Sequence, residues 1–455
     1  MNPVPDPSGK PAASALGSLL HRRPSTTIQW GLDRTLRMLR ELDDPHGRFL
    51  SLHVGGTNGK GSVAATAAEI LRQQGLRVGL YTSPHLVRFE ERIRVDGRPV
   101  QASLLEEAAR VVGPLAEEAE ASFFEATTVL AFLCFARAGV DVAVVEVGLG
   151  GRLDATNVLV PRASVVTNVA FDHAEYLGDT LQAIAGEKAG IIKESVPCIL
   201  GPMPERLTRV FVEAAGRIGA RVDILGRATA VESVETCLEG TTFTYRSPSF
   251  SDGLRLRTPL VGAHQAANAA LALRAIELSG LGLDAGSAVR GVSTVGWPGR
   301  FEVLETADGM WVLDIAHNTA AARALSETLR QVAVKRPIVF LVAILGDKPW
   351  REMLDPLLSS GIGAVFTVAP SSPGSRRWDP HAARAAVPGH VVEVELEFSR
   401  SLERARELAG AGSVVVTGSC HTVGDALRIL DGESRTLPGH ATHQDSSSAA
   451  ASSLP

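Results

Sequence analysis

Short runs of β-branched and aliphatic residues alternate with helical patterns along most of the chain. RFLSLHV at 48–54, VDVAVVEVG at 140–148 and ASVVTNVA at 163–170 have the composition of buried strands, and helical patterns lie between them. Strands that alternate with helices form a mostly parallel sheet with helices on both faces. The chain is therefore predicted to have an α/β fold.

The same alternation begins again near the sequence PGRF, which indicates a second α/β unit. A chain of 455 residues is longer than one ordinary domain. Between the two units, TTFTYRS and LRLRTPL break the rhythm within residues 228–260 and predict a small antiparallel element. We expect a first domain over 25–296 and a second over 297–431.

Composition limits the partners of the chain. The formal net charge of −5, from 45 basic and 50 acidic residues that are well mixed, favours a small-molecule partner over nucleic acid or an anionic membrane. The 4 cysteines lack C-x-x-C spacing, so reduced thiols in a cytoplasmic protein are expected. Neither a signal peptide nor a membrane-spanning run is evident, and the polar segments 1–24 and 432–455 are predicted to be disordered.

One segment between a predicted strand and a predicted helix has the features of a phosphate-binding loop. The sequence HVGGTNGKGSVAA at 53–65 departs from the pattern G-x-x-x-x-G-K-[ST], because Val54 stands at the first position and Gly61 directly follows Lys60. Its glycines allow successive N–H groups to point inward, and the helix N-terminus that follows favours an anion. Although such turns also occur for packing alone, four glycines, a lysine and this context favour phosphate binding.

Further motifs follow this glycine-rich loop (residues 55–62) in a fixed order. They are YTSPHL at 81–86, EVGLGGRLDATN at 146–157, TNVAFDHAEYLG at 167–178, IAGEKAGIIKE at 184–194, GAHQAANAALAL at 262–273, PGRFEV at 298–303 and LDIAHN at 313–318. Over about residues 29–430 the chain resembles the folylpolyglutamate synthase and dihydrofolate synthase family of Mur-type ATP-dependent ligases. The resemblance implies a P-loop ATP-binding domain, a Rossmann-like second domain, ATP and two magnesium ions.

The resemblance places the magnesium ligands far from the loop in sequence. Ser83 and Glu146 match a metal-binding serine and glutamate of the family. The position of Glu146 supports this match, because a carboxylate at the carboxyl end of a buried parallel strand lies where open α/β sheets bind ligands. His173 matches a histidine at a second magnesium, although the preference of Mg²⁺ for oxygen would select its neighbour Asp172.

Lys188 matches a lysine that is carbamylated in the family, a modification that turns the amine into an oxygen ligand. Such chemistry needs a neutral amine, and hence a pKa lowered by burial or by neighbouring cations. The alternative is a solvated helix lysine paired with Glu187. With Lys60, Glu146 and His173, Lys188 completes the set of candidate catalytic residues.

The resemblance also assigns residues to the substrates. The predicted ATP-binding residues are Gly56, Thr57, Asn58, Gly59, Lys60, Gly61, Ser62, Gln265, Asn268, Arg300, Asp314 and His317. The predicted folate-binding residues are Phe124, Arg152, Asp154 and Ala155. From the residues alone, Phe124 is equally a core aromatic, and Arg152 with Asp154 is equally a local ion pair.

These expectations define a reaction. Transfer of the ATP γ-phosphate to a carboxylate gives an acyl phosphate, which the amino group of L-glutamate attacks, and the acceptor is dihydropteroate, a reduced folate or both. A Mur-type ligase for a cell-wall precursor is the alternative, but those proteins place a hydroxyl directly after the loop lysine, where this chain has Gly61. A nucleotide switch would need an N-K-x-D segment, which the sequence lacks. We expect a monomer.

Overall fold

The computed structural model describes residues 14–21, 30–306 and 308–430. The predicted disordered tails lie mainly outside these residues. Helix α1 (Ala15–His21) is an exception, so the prediction of disorder is wrong there. The reason is packing, since Leu19 is buried in the same apolar cluster as Leu105 and Val112.

An eight-stranded, mostly parallel sheet forms the centre of the first domain. Its strands are β1 (Leu50–Gly55), β2 (Val78–Tyr81), β3 (Ile93–Val95), β4 (Arg98–Pro99), β5 (Val142–Glu146), β6 (Ala163–Val166), β7 (Cys198–Leu200) and β8 (Val222–Ile224). The order is β4-β3-β2-β5-β1-β6-β7-β8, and only β3 and β4, at one edge, run antiparallel to their neighbours. The carboxyl ends of β5, β1 and β6 are therefore adjacent.

Helices cover both faces of this sheet. They are α2 (Asp33–Arg40), α3 (Lys60–Gln73), α4 (Ala102–Glu118), α5 (Phe123–Ala138), α6 (Ala174–Leu177), α7 (Leu181–Ala189), α8 (Glu205–Arg217), α9 (Ala263–Ser279) and α10 (Ala285–Thr294). Helices α3, α9 and α10 share one apolar cluster, while α4 and α5 share another on the opposite face. Strands buried between two such layers read as continuous apolar runs, which is the pattern in the sequence.

A three-stranded antiparallel sheet lies where the sequence predicts one. It contains β9 (Ala230–Cys237), β10 (Gly240–Ser247) and β11 (Phe250–Thr258), with β10 in the centre. It contacts a buried cluster of charges in the main body, where the guanidinium of Arg274 donates to Asp223 and Glu277, each at 2.8 Å. The hydroxyl of Ser247 also donates to Glu277, at 2.6 Å.

The second domain contains a six-stranded sheet. Its strands are β12 (Glu302–Thr306), β13 (Gly309–Leu313), β14 (Ile338–Val342), β15 (Gly363–Phe366), β16 (Val392–Val394) and β17 (Ser413–Thr417), in the order β12-β13-β17-β14-β15-β16. Its helices are α11 (Thr319–Gln331), α12 (Trp350–Leu358), α13 (Pro380–Ala385), α14 (Phe398–Ala409) and α15 (Cys420–Leu430). All pairings except β12 with β13 are parallel.

The predicted α/β fold with two mostly parallel sheets is confirmed. The boundary that the sequence predicts near residue 296 lies in the connection 295–301, between α10 and β12. None of the helices in the described part of the chain combines the length and apolar character that crossing a bilayer requires.

Candidate active site

The glycine-rich loop joins β1 to α3, and its conformation depends on glycine. Gly56 and Gly59 have φ values of 131° and 85°, in the left-handed region that side chains rarely adopt. A Cβ at Gly56 would also lie 1.9 Å from Oγ1 of Thr167. Helix α3 begins at Lys60, whose ammonium donates to the carbonyl of Thr57 at 3.0 Å. The loop therefore has the turn and the helix N-terminus that a phosphate site needs.

Trp297, in the connection between the domains, explains why a glycine follows Lys60 in the loop. A Cβ at Gly61 would lie 2.7 Å from Nε1 of Trp297, so the indole occupies the space of a side chain at this position. The next residue, Ser62, is buried, and its hydroxyl has no hydrogen-bond partner among the described residues. Gly61 is therefore a packing requirement of this chain, while Ser62 keeps a free oxygen within the loop.

One cavity of about 440 Å³ brings the predicted nucleotide and metal residues of both domains together. Its lining includes all the predicted ATP-binding residues: Gly56, Thr57, Asn58, Gly59, Lys60, Gly61, Ser62, Gln265, Asn268, Arg300, Asp314 and His317. It also includes the four predicted metal residues Ser83, Glu146, His173 and Lys188. The carboxyl ends of β1, β5 and β6 converge on this cavity, as expected for an open α/β sheet.

Hydrogen bonds hold several of the predicted nucleotide residues in place. On α9, the amide of Asn268 donates to Oε1 of Gln265 at 2.9 Å. In the second domain, the carboxylate of Asp314 accepts from the N–H groups of Phe301 and Ala316, each at 2.9 Å. Burial raises the pKa of Asp314, and the charge of Arg300 opposes that shift.

Glu146 ends β5 inside the cavity and is buried. Its Oε2 accepts from the backbone N–H of Ser83 at 3.2 Å, so the two predicted magnesium ligands are neighbours. Burial raises the pKa of Glu146, while the nearby charges of Lys60 and Arg300 oppose the shift. Within the described residues no cluster of three or more His, Cys, Asp or Glu side chains could hold a metal. The oxygen donors fit Mg²⁺, which normally keeps waters and phosphate oxygens as its other ligands.

Lys188 lies in the interior, not on the surface. Its ammonium donates to the carbonyl of Gly56 at 2.9 Å, and its residue is only 4% exposed. Burial and the charge of Lys60 lower its pKa to about 7. The alternative of a solvated lysine paired with Glu187 is wrong, because Glu187 pairs with Arg152 at 2.8 Å. A buried amine of low pKa is the group that carbamylation requires.

Asp172 and His173, at the end of the segment between β6 and α6, lie at the interface between the domains. His173 has a positive φ of 52°, and its side chain lines the cavity. Asp172 is 2.5 Å from the ammonium of Lys348, which also lies 3.2 Å from Nε2 of His173. Lys348 was not predictable from the sequence, because no local pattern connects a lysine of the second domain to this loop.

The predicted folate residues lie beside the cavity and do not line it. The ring of Phe124 packs on Gly148, where a Cβ would lie 2.4 Å from Cζ. Asp154 is buried and accepts from the N–H groups of Leu149 and Thr156 at 2.8 and 3.0 Å, and Ala155 is buried beside it. The suggested ion pair between Arg152 and Asp154 is wrong. The Asp154 carboxylate accepts from backbone N–H groups instead, and the guanidinium of Arg152 pairs with Glu187.

The fold and the cleft define the class of the protein. Residues 54–276 match the model of the Mur ligase middle domain, and residues 299–420 match that of the Mur ligase glutamate ligase domain. The chain is therefore an ATP-dependent ligase of the Mur type, with its glycine-rich loop in the middle domain and Arg300 and Asp314 in the glutamate ligase domain.

Comparison with individual proteins identifies one family within the Mur-type ligases. The dihydrofolate synthase/folylpolyglutamate synthase of Mycobacterium tuberculosis is 33% identical over 475 aligned positions, gaps included, and the match covers 94% of this chain and 96% of that protein. A probable bifunctional folylpolyglutamate synthase/dihydropteroate synthase of Haloferax volcanii is 36% identical, but the match covers 90% of this chain and 51% of that longer protein. The chain belongs to the folylpolyglutamate synthase and dihydrofolate synthase family.

A solved structure agrees with this assignment. The folylpolyglutamate synthase of Mycobacterium tuberculosis complexed with ADP has a TM-score of 0.85 and 32% sequence identity to this chain. The match covers 92% of this chain and 99% of that one. The arrangement of both domains is therefore shared with a structure that contains a nucleotide.

Proposed function

We propose that the protein uses ATP to add L-glutamate to dihydropteroate and to reduced folates, through an acyl phosphate. The observation that carries the proposal is the single cavity in which Lys60, Glu146 and Lys188 of the first domain face Arg300 and Asp314 of the second. The family to which the chain belongs includes proteins named for both activities. Because ATP and glutamate are metabolites of the cell interior, we place the reaction in the cytoplasm.

Phosphoryl transfer depends mainly on positioning and on neutralising charge. The glycine-rich loop presents backbone N–H groups at the N-terminus of α3, and Lys60 provides a cation in the same loop. Arg300 provides a second cation from the other domain, and its guanidinium donates to the carbonyl of Gly299 at 3.2 Å. These groups suit the terminal phosphates of ATP. No nucleophilic side chain is required, because the substrate carboxylate itself attacks the phosphate.

Two magnesium ions fit the oxygen donors around the loop. We assign one ion to Ser83 and Glu146, and the second to His173 and a carbamylated Lys188. When bound, magnesium neutralises charge on the phosphate oxygens and fixes their orientation. The residues of this chain prepare these positions: the N–H of Ser83 orients the Glu146 carboxylate, and burial keeps the Lys188 amine largely neutral above pH 7.

An acyl phosphate hydrolyses in water, so the reacting groups have to be enclosed. Contacts between the domains lie beside the cavity, at Asn58. The side-chain amides of Asn58 and Asn318 exchange hydrogen bonds of 2.9 and 3.2 Å across the cleft. Closure of the second domain over ATP would exclude water at the moment of transfer.

Incorporation of labelled glutamate tests the proposal directly. Purified protein with ATP, Mg²⁺ and bicarbonate is assayed separately with dihydropteroate and with tetrahydrofolate, and Lys60→Ala serves as the inactive control. Product with both acceptors is the expected result. Product with one acceptor would restrict the enzyme to a single activity. Product with neither would refute the proposal and direct attention to a cell-wall precursor as the acceptor.

A further inference from the structure

Lys348 is a buried cation at the interface between the two domains. It follows β14 and directly precedes Pro349 and α12, in the second domain. Its side chain is 5% exposed and that of Asp172 is 8% exposed, with 2.5 Å between Nζ and Oδ1. The ammonium also lies 3.2 Å from Nε2 of His173. A single side chain of the second domain thus contacts two consecutive residues of the first.

Asp172 receives two further contacts from the second domain. The amide of Asn318 donates to its Oδ2 at 3.2 Å, and Nε2 of His317 lies 3.3 Å from the same oxygen. Asn318 in turn bonds to Asn58 in the glycine-rich loop at 2.9 Å. The closed arrangement therefore connects Lys348, Asp172 and the loop in one hydrogen-bonded network.

Lys348 does not itself line the cavity, whereas Asp172, His173 and His317 do. It cannot contact the phosphates as Lys60 can, so any effect it has on the reaction passes through Asp172 and His173. His173 is held in the left-handed region at a φ of 52°, which is strained for a residue with a side chain. Surrounding contacts have to maintain such a conformation, and the contact with Lys348 is one of them.

We propose that Lys348 is a positioning residue for the ligation reaction: its ammonium holds Asp172 and His173 at the cavity wall when the domains close. This inference rests on the proposed function, since it assigns Lys348 to the same site. The pair is an ammonium and a carboxylate removed from water, so loss of one partner leaves a buried, uncompensated charge. Removal of Lys348 should therefore release the segment 170–178 as well as slow the reaction.

The test compares Lys348→Met with Lys335→Met, a matched control. Lys335 is an exposed lysine of the same domain, which pairs with Glu305 at 3.4 Å on the surface. Hydrogen exchange of the full-length protein is measured first, with a saturating non-hydrolysable ATP analogue and Mg²⁺ so that the domains are closed. We expect amides of 170–178 to exchange at least about tenfold faster in Lys348→Met, with strands β1 and β5 unchanged. Exchange at the wild-type rate, or an equal increase in Lys335→Met, would overturn the inference.

Kinetics separate positioning from a general loss of structure. We expect kcat of Lys348→Met to fall by about 100-fold, with KM for ATP changed much less, and Lys348→Arg to recover part of the loss. Because Lys348 acts through Asp172, the double variant Lys348→Met/Asp172→Asn should lose no more than the worse single variant. Losses that multiply in the double variant would overturn the inference. If Lys348→Met does not fold, Asp172→Asn gives the same readouts.

These measurements also separate the inference from the proposed function. Hydrogen exchange needs neither an acceptor nor turnover, so it tests the contact between Lys348 and the 170–178 segment even if no glutamate is incorporated. Wild-type turnover by Lys348→Met in a protein that ligates glutamate would refute the positioning role and leave the proposed function intact.

Discussion

Lys188 has an amine whose protonation controls its chemistry. Burial and the charge of Lys60 lower its pKa to about 7 from its ordinary value of 10.5, so the neutral form dominates above pH 7. Carbon dioxide reacts with the neutral amine alone. At limiting bicarbonate, ligation should therefore rise as pH increases through 7, and Lys188→Ala should abolish it. Labelled bicarbonate should give a carbamate signal in the ¹³C spectrum of the wild type that is absent from the variant. A wild-type spectrum without that signal would contradict the assignment.

The lowered pKa of Lys188 also makes the free energy of unfolding depend on pH. In the unfolded chain Lys188 stays protonated up to its ordinary pKa, so between about pH 7 and 10.5 the unfolded state binds more protons than the folded state. The contribution of Lys188 to the free energy of unfolding therefore increases with pH across this window. Lys188→Met should flatten the dependence, as measured by urea denaturation at several pH values. An identical pH dependence in wild type and variant would show that the amine is not desolvated.

The buried carboxylate of Glu146 is predicted to bind magnesium and, when no cation is bound, to lower the stability of the fold. Burial raises its pKa, which means that the folded environment disfavours the carboxylate when no cation is bound. Glu146→Gln keeps the shape, so we expect an equal or higher melting temperature without magnesium and a loss of ligation of at least about 100-fold. Calorimetric titration with Mg²⁺ and an ATP analogue should show weaker metal binding. Retained ligation would refute the assignment of Glu146 as a magnesium ligand.

The contact between Gly61 and Trp297 can be tested by complementary substitutions. A Cβ at Gly61 would meet Nε1 of Trp297 at 2.7 Å, so Gly61→Ala should displace the indole or the loop and weaken ATP binding by about tenfold. Trp297→Ala opens space beside the loop, and the double variant should bind ATP more tightly than Gly61→Ala alone. Fluorescence titration with a nucleotide analogue measures these affinities. Additive losses would mean that the two residues act independently.

At the scale of elements, Arg274 compensates a buried cluster of carboxylates that includes Glu277, the residue to which Ser247 of the antiparallel sheet donates. Arg274 on α9 contacts Asp223 of β8 and Glu277, and all three side chains are at most 5% exposed. Arg274→Met leaves two buried carboxylates without a cation and should lower the free energy of unfolding by about 3–5 kcal/mol. Arg246→Met removes an exposed pair with Glu232 and should cost at most about 1 kcal/mol. The free energy of unfolding of both variants is measured by urea denaturation. Equal losses in the two variants would contradict this account.

Elements with a strong local pattern were predictable from the sequence. The parallel strands read as apolar runs, and the glycines of the loop marked the junction of β1 and α3. Helix α1 was not predicted, because its seven residues lie in a Pro- and Ser-rich segment and depend on tertiary packing of Leu19. Local propensity is a weak guide where distant contacts provide the stability.

At the scale of the whole molecule, the site divides into residues that the sequence could reveal and residues that only the fold could. Glu146 was identifiable because it ends an apolar strand and precedes glycines. Lys348 and Asn318 contact Asp172 from the second domain, and no spacing in the sequence encodes that approach. The burial of Lys188 was equally hidden, since its surroundings come from the loop at Gly56 and not from its own helix.

Arg300 connects nucleotide binding to the arrangement of the domains. It is a partly buried cation of the second domain that lines the cavity beside Glu146 and Asp314, and its removal from water lowers its pKa. A phosphate anion would compensate this charge, so nucleotide should draw the second domain toward the loop. We expect small-angle scattering to show a smaller radius of gyration when a non-hydrolysable ATP analogue and Mg²⁺ are added.

Arg300→Ala should bind the analogue about tenfold to 100-fold more weakly and show no compaction even at saturation, while Arg300→Lys should retain part of both effects. Full compaction of Arg300→Ala at saturating nucleotide would mean that the first domain closes the cleft without this cation.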